Sequence, residues 1–162
     1  NAIDAAQFRD SAGDDRFYYS RDYSSLRSDG NVVGAYRFRD ARALASAGGV
    51  DTAIVVGTSG VDRVTTSPQN DVLLQGSGYR ARSVGFQSTH VSGGGGRDVA
   101  ILAELGPDDE LFGQGKVAQV SYGPLTTLLR DFAYVQAMIG DDAPAADIRA
   151  VDFHFEMLER RG

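Results

Sequence analysis

The sequence predicts an all-β chain: a parallel β-helix or β-solenoid made of three repeats and closed by a C-terminal cap. Three observations carry that expectation. Asp4-Ala5-Ala6-Gln7-Phe8, Asp51-Thr52-Ala53-Ile54-Val55 and Asp98-Val99-Ala100-Ile101-Leu102 follow one another at 47-residue intervals, as do Asp15, Asp62 and Asp109. A fixed period of this length marks a repeat architecture. Short apolar segments alternate with turns rich in Gly and Asp, which supply positive φ and local side-chain bonds. Twenty glycines and four prolines in 162 residues are more punctuation than a helical protein tolerates.

The whole chain, 1–162, reads as one repeat domain, with repeats at about 2–49, 50–96 and 97–141 and a cap at 142–162. In the first repeat, residues 4–8 read as a strand and 10–15 as a turn. Aromatic-rich 16–19 is the next strand, followed by a short extended piece at 23–26, a turn at 28–31, and a fourth piece from Tyr36 into 41–45. The second repeat is the cleanest copy, with strands at 52–56, 63–66, 72–75 and a longer piece around 84–91. The third keeps Asp98 and the turn Gly106-Pro107-Asp108-Asp109. Phe38, Phe86 and Phe132 hold similar late places, with a one-residue slip.

Two segments carry a helical alternative. Leu125, Leu128, Leu129 and Phe132 have i, i+3, i+4, i+7 spacing, but the repeat alignment favours strand at 133–139 and leaves a helical turn near 126–130 as the alternative. In the tail, Val151, Phe153, Phe155 and Met157 alternate with polar residues, which favours strand. Asp142 as cap and Pro144 as first residue would instead open a helix. The polar end of the chain suits a cap over the last open edge.

Half of 47 residues is close to one coil of a three-sided parallel β-helix, so about two coils per repeat and about seven in all are expected. Equivalent residues such as Ala6, Ala53 and Ala100 would then stack as ladders about 4.8 Å apart. A β-propeller-like assembly is the alternative, but three four-stranded blades close only in an oligomer.

Bulk composition excludes several partners. A net charge of -6 and a single lysine, Lys116, argue against nucleic acid, which needs a basic face. No apolar run reaches the length of a membrane-spanning helix, so no membrane insertion is expected. Without cysteine there are no disulfides, thiolate metal sites or thiol nucleophiles. The lack of an initiator Met leaves a mature product and a fragment of something longer both open.

In residues 48–96 the order is Gly-Gly-x-Asp-x-Ala-x-Val, Ser-Gly-x-Asp-x-Val, Leu-x-Gly-x-Gly-Tyr, Gly-Phe and a closing glycine run. This resembles the Asp/Gly-rich repeats of about 47 residues in large secreted or cell-surface bacterial proteins of the planctomycete type. The resemblance covers about residues 4–141. It implies an extracellular, elongated repeat region and brings no catalytic residues with it.

Candidate sites are few. Asp14, Asp15, Asp62, Asp108 and Asp109 lie on corresponding turns, and rows of carboxylates in stacked coils would suit calcium, which takes six to eight oxygen ligands. The competing reading has each Asp bonding its own turn, with Arg16 and Arg63 relieving the repulsion. No other cofactor is expected. Acidic pairs also suit glycoside chemistry, yet an active site should occur once and these recur. His90 and His154 read as surface residues. Gly57-Thr58-Ser59-Gly60-Val61 lacks the last glycine of a nucleophile elbow, and Gly76-Ser77-Gly78-Tyr79-Arg80-Ala81 lacks the helix of a dinucleotide fingerprint. Tyr18, Tyr19, Tyr23 and Tyr36 cluster with arginines, as for sugar stacking, a protein interface or cross-strand pairing. The expectation is a non-enzymatic structural or adhesive module that self-associates or meets an extracellular protein or glycan. A carbohydrate-active or carbohydrate-binding β-helix and a calcium-dependent binding module are the alternatives.

Overall fold

A computed structural model describes residues 4–159. They form an all-β solenoid of two facing sheets. The first repeat contributes β1 (Ala5–Arg9), β2 (Asp15–Ser20), β3 (Tyr23–Ser28), β4 (Asn31–Tyr36) and β5 (Asp40–Leu44). The second gives β6 (Thr52–Val56), β7 (Arg63–Thr66), β8 (Val72–Gly76), β9 (Tyr79–Val84) and β10 (Ser88–Ser92). The third gives β11 (Val99–Leu105), β12 (Glu110–Gly115), β13 (Val117–Tyr122), β14 (Leu125–Arg130) and β15 (Tyr134–Ile139). The tail adds β16 (Ala145–Val151) and β17 (His154–Glu159).

Each repeat thus has five strands, and they follow one rule. The first strand lies in one sheet, the next three form an antiparallel meander in the other, and the fifth returns to the first sheet. Sheet A has the order β1-β5-β9-β8-β7-β11-β15-β17, and sheet B the order β16-β12-β13-β14-β10-β6-β2-β3-β4. Because a repeat crosses between sheets an odd number of times, the next repeat starts in the opposite sheet. One repeat is one and a half turns, so successive repeats are related by a half-turn screw. The stack is two-sided where three sides were expected. Equivalent residues face each other from opposite sheets and do not stack: the neighbours of Ala53 are Phe17 and Thr89.

The alternation within strands is what the two-sheet arrangement requires. Ala53 and Val55 of β6, Val64 and Thr66 of β7, and Ala100 and Leu102 of β11 all point inward and are buried. Alanines at 41, 43, 81, 118 and 137 are buried too, which lets the sheets approach closely. Phe8, Phe17 and Phe86 form an aromatic line through this narrow core, with ring centroids 5.5 and 6.1 Å apart. Each such ring contributes about 2–3 kcal/mol by leaving water.

Corners explain the late phenylalanines. Arg37, Gly85 and Asp131 have φ of 60°, 79° and 60° and each precedes a Phe that turns toward the core; Phe86 and Phe132 are buried there and Phe38 half-buried. Gly85 divides the expected 84–91 strand into β9 and β10, and a methyl there would strike the Ala45 carbonyl oxygen. Glycine recurs for a second reason where loops cross. A methyl on Gly49 would meet the Gly13 carbonyl, and one on Gly96 the Gly60 carbonyl, the same contact 47 residues on.

The favoured strand at 133–139 is β15, and the alternative helical turn near 126–130 is strand β14. Thr127 and Leu129 point into the core and Leu128 points out, so the apparent helical spacing mixes both faces. The tail is two strands with a corner at Asp152-Phe153, not one strand through 151–157 and not a helix. Arg160, Arg161 and Gly162, part of the expected polar cap, lie outside the described residues.

Candidate functional site

The repeated aspartates sort by position. Those at the twelfth place counted from Asp4, Asp51 and Asp98 cap their own turns. Asp15 Oδ2 accepts the Ser11 N–H at 2.7 Å, Asp62 Oδ2 the Thr58 N–H at 2.5 Å, and Asp109 Oδ2 the Gly106 N–H at 2.8 Å. Those that open a repeat reach to the turn of the repeat before. Asp51 Oδ1 accepts the N–H of Asp15 at 2.9 Å, and Asp98 Oδ1 that of Asp62 at 2.7 Å. Sequence reasoning took Asp51 and Asp98 as register marks and missed this clasp, although their 47-residue recurrence was its signal.

All four of these acids, Asp15, Asp51, Asp62 and Asp98, are buried. Burial pushes Asp15 up, but hydrogen bonds from the Ser28 hydroxyl and from Ser11 outweigh it and hold the carboxyl below its ordinary value. Burial raises Asp51, despite the bond from Asp15. Burial raises Asp98 to about 6, opposed by the Asp62 N–H and assisted by the Asp62 charge. Among the described residues, Asp98 Oδ2 has no hydrogen-bond partner.

Carboxylate rows, the arrangement expected to suit calcium, do not form. The half-turn screw puts the turns of Asp15 and Asp62 on opposite sheets, so the acids meet as the pairs Asp15/Asp51 and Asp62/Asp98. Asp14 is exposed and accepts the Val50 N–H at 2.8 Å, while Asp108 is exposed beside Asp109. Among the described residues no three Asp, Glu or His side chains converge as a metal site. Arg16 and Arg63 do not pair with the turn acids. Arg16 faces Arg27 across β2 and β3, and the ion pairs of the described residues lie elsewhere.

Two outer faces carry tyrosine or arginine side chains in register. On sheet B, Tyr18, Tyr23 and Tyr36 form a ladder with centroids 6.3 and 4.9 Å apart. The fourth tyrosine of that sequence cluster, Tyr19, instead points inward, stacks 6.0 Å from Tyr79, and is raised by burial to about 12.

On sheet A, one register row runs Asp40, Arg80, Gln75, Arg63, Val99, Tyr134, His154 across seven strands. Arg80 is held by Asp40 at 2.5 Å. Arg63 stands two strands from Arg80, about 10 Å away at the usual spacing. A groove of about 710 Å³ follows this row, lined by Arg39, Arg63, Gln75, Arg80, Ile101 and Gln136 among others. Flanking hollows add Arg21, Arg37, Arg42 and Arg82. Asp40 holds Arg80 and Asp71 holds Arg82, and Asp22 and Asp62 line the same hollows, so Arg39, Arg42 and Arg63 are guanidinium groups of this face that stand outside the ion pairs of the described residues. His90 and His154 are exposed on opposite sheets; His154 bonds Glu156 at 2.8 Å. Compared with family models, with curated proteins and with solved structures, the chain finds no match in any of the three.

Proposed function

We propose that the chain is a non-enzymatic structural repeat module of an extracellular or cell-surface protein, a stiff segment that spaces and attaches. The observation behind this reading is the way each repeat is completed by the next. A fifth strand is clasped between the first strand of its own repeat and the fourth strand of the following one, as β5 lies between β1 and β9 and β10 between β6 and β14. Every junction carries backbone bonds in both sheets, and the Asp51 and Asp98 carboxylates add one each. Such a stack gains length by repetition and resists bending. The extracellular setting follows from the resemblance seen in residues 48–96.

A duplicated chain, residues 1–143 followed by 4–162 so that Asp4 stands in the place of Pro144, tests this. Each repeat adds five strands over two sheets, or about 12 Å at about 4.8 Å per strand. Small-angle scattering should show a single rod about 36 Å longer than the parent. Two lobes on a flexible joint would reject the reading.

The arginine row favours a second activity on the same scaffold, binding of an acidic glycan. Its charged groups would meet the Arg39 and Arg63 guanidinium groups in the groove, and its apolar sugar faces would lie on Val99 and Ile101. Charge-assisted bonds of this kind contribute about 1.5–3 kcal/mol each. Arg63→Ala should therefore weaken binding to a uronate polymer roughly tenfold or more, with melting unchanged. Equal binding by both proteins in a titration would remove the groove from consideration.

A further inference from the structure

We propose that β16 and β17 fill the two places that β1 and β4 of a second copy would take, so that the tail governs head-to-tail assembly of this chain. The inference rests on reading the chain as an extendable repeat. In each junction the first strand of a repeat lies parallel to the second strand of the repeat before, as β6 on β2 and β11 on β7. The fourth strand lies parallel to the preceding fifth strand, as β9 on β5 and β14 on β10. The tail obeys the same rule: β16 lies parallel to β12, and β17 parallel to β15. It supplies the first and fourth strands of a fourth repeat and omits the second and third. Asp152 and Phe153 alone link β16 to β17, where residues 57–78 link β6 to β9.

At the other end the matching strands are open. Among the described residues β1 pairs with β5 alone and β4 with β3 alone. In the antiparallel β3–β4 hairpin, Val32, Gly34 and Tyr36 turn their N–H and C=O groups to the free edge. The inner face of β4 is uncovered as well. Val33 stands where Ala81 and Thr127 stand in the later repeats, and those are fully buried, yet Val33 is 64% exposed. An exposed edge strand with apolar side chains is a template for another chain.

The acids specify which chain. In the tail, Glu110 is opposite Ala145, as Arg16 is opposite Thr52 and Arg63 opposite Val99. The place of Asp51 and Asp98 therefore falls to Pro144, which has no carboxylate. The Asp109 N–H turns instead to the Gly106 carbonyl at 3.2 Å. Asp4 stands just ahead of β1, as Asp51 and Asp98 stand ahead of β6 and β11, and it is exposed. With β1 of a second copy in the place of β16, Asp4 would accept the Asp109 N–H and complete the clasp. β4 in the place of β17 would lay Val33 beside Val135. The tail is anchored by the buried Phe153 and by Phe155 against the core, while the side chains of β16 are mostly exposed, with Ile148 and Val151 over Gly113 and Arg149 5.6 Å from the Phe112 ring.

The test loosens the tail in the full chain with Ile148→Asp and Phe155→Asp. Sedimentation should change from single chains to concentration-dependent oligomers, and micrographs should show filaments with a rise of about 36 Å and a half-turn per copy, as three repeats at the usual strand spacing require. Adding Val33→Lys, at a side chain already in solvent, should restore single chains. Loosened chains that stay single while β6 and β10 amides remain protected from exchange would overturn the proposal. So would oligomers that ignore Val33→Lys. Asp4→Cys and Asp109→Cys in this cysteine-free chain should give an intermolecular disulfide ladder on oxidation once the milder Ile148→Ala loosens the tail, and single chains with the tail intact; a ladder in both backgrounds, or none in the loosened one, would overturn the proposal. The duplicated chain does not depend on this step. If it gives the longer rod while loosened chains stay single, assembly between copies fails and the rod reading stands.

Discussion

Asn70→Ala should cost about 3–5 kcal/mol of folding stability, read from the denaturant midpoint of the two proteins. Asn70 is fully buried in the connection from β7 to β8, and its side chain crosses from sheet A to sheet B. Nδ2 donates to the Phe86 carbonyl at 2.5 Å and to Thr89 Oγ1 at 3.3 Å, and Oδ1 accepts the Thr127 hydroxyl at 2.5 Å. Thr89 and Thr127 are buried inward residues of β10 and β14. Alanine leaves a carbonyl and two hydroxyls without partners in a dry core, each at about 1–3 kcal/mol. It also places an alanine at φ 49°, a conformation asparagine adopts more readily. The loss should shrink when Thr127→Val is already present, because one orphaned group has then gone. Equal losses in the two backgrounds would show that the three groups do not act as a network.

Asn70 also shows where the sequence stops being legible. The residues 47 positions away on either side are Tyr23 and Val117, so no repetition flags it, and Pro68-Gln69-Asn70-Asp71 reads as a turn. A break in the repeat was the one available signal. The repeats themselves were legible because Ala and a larger apolar residue recur two positions apart at 6/8, 53/55 and 100/102 and all point inward. That pattern reports inside against outside, but it is the same for either sheet. The half-turn screw was therefore hidden, and with it the pairing of Asp15 with Asp51 in place of a row with Asp62. β4 was misplaced for a similar reason. Val32, Val33 and Tyr36 have no core to alternate against at this open end, so the strand lacks the signature that marks Ala81 and Ser83 in β9. The arginine groove escaped notice because Arg80, Gln75 and Arg63 come from three strands and meet only in the folded register.

Asp98 should make the chain lose stability as the solution turns from mildly acidic to neutral. The unfolded chain releases this proton near the ordinary value of 3.8, the folded chain at about 6. Between those values the folded state binds more protons than the unfolded one, so the free energy of unfolding falls as pH rises. The stabilising contribution is complete below 3.8 and gone above about 6, a change of at most about 3 kcal/mol. Asp51 is raised too and acts in the same direction. Asp15 is lowered and acts oppositely, adding stability above the ordinary carboxylate range that is lost as pH falls through its folded value. Asp98→Asn keeps an oxygen for the Asp62 N–H and removes the titration. Denaturant midpoints measured from pH 4 to 7 should fall steeply for the wild type and much less for Asp98→Asn, with Asp51 responsible for the remainder. Parallel profiles would mean that water or a local opening already solvates the Asp98 carboxylate, and the clasp between repeats would then be a surface contact and not a buried one.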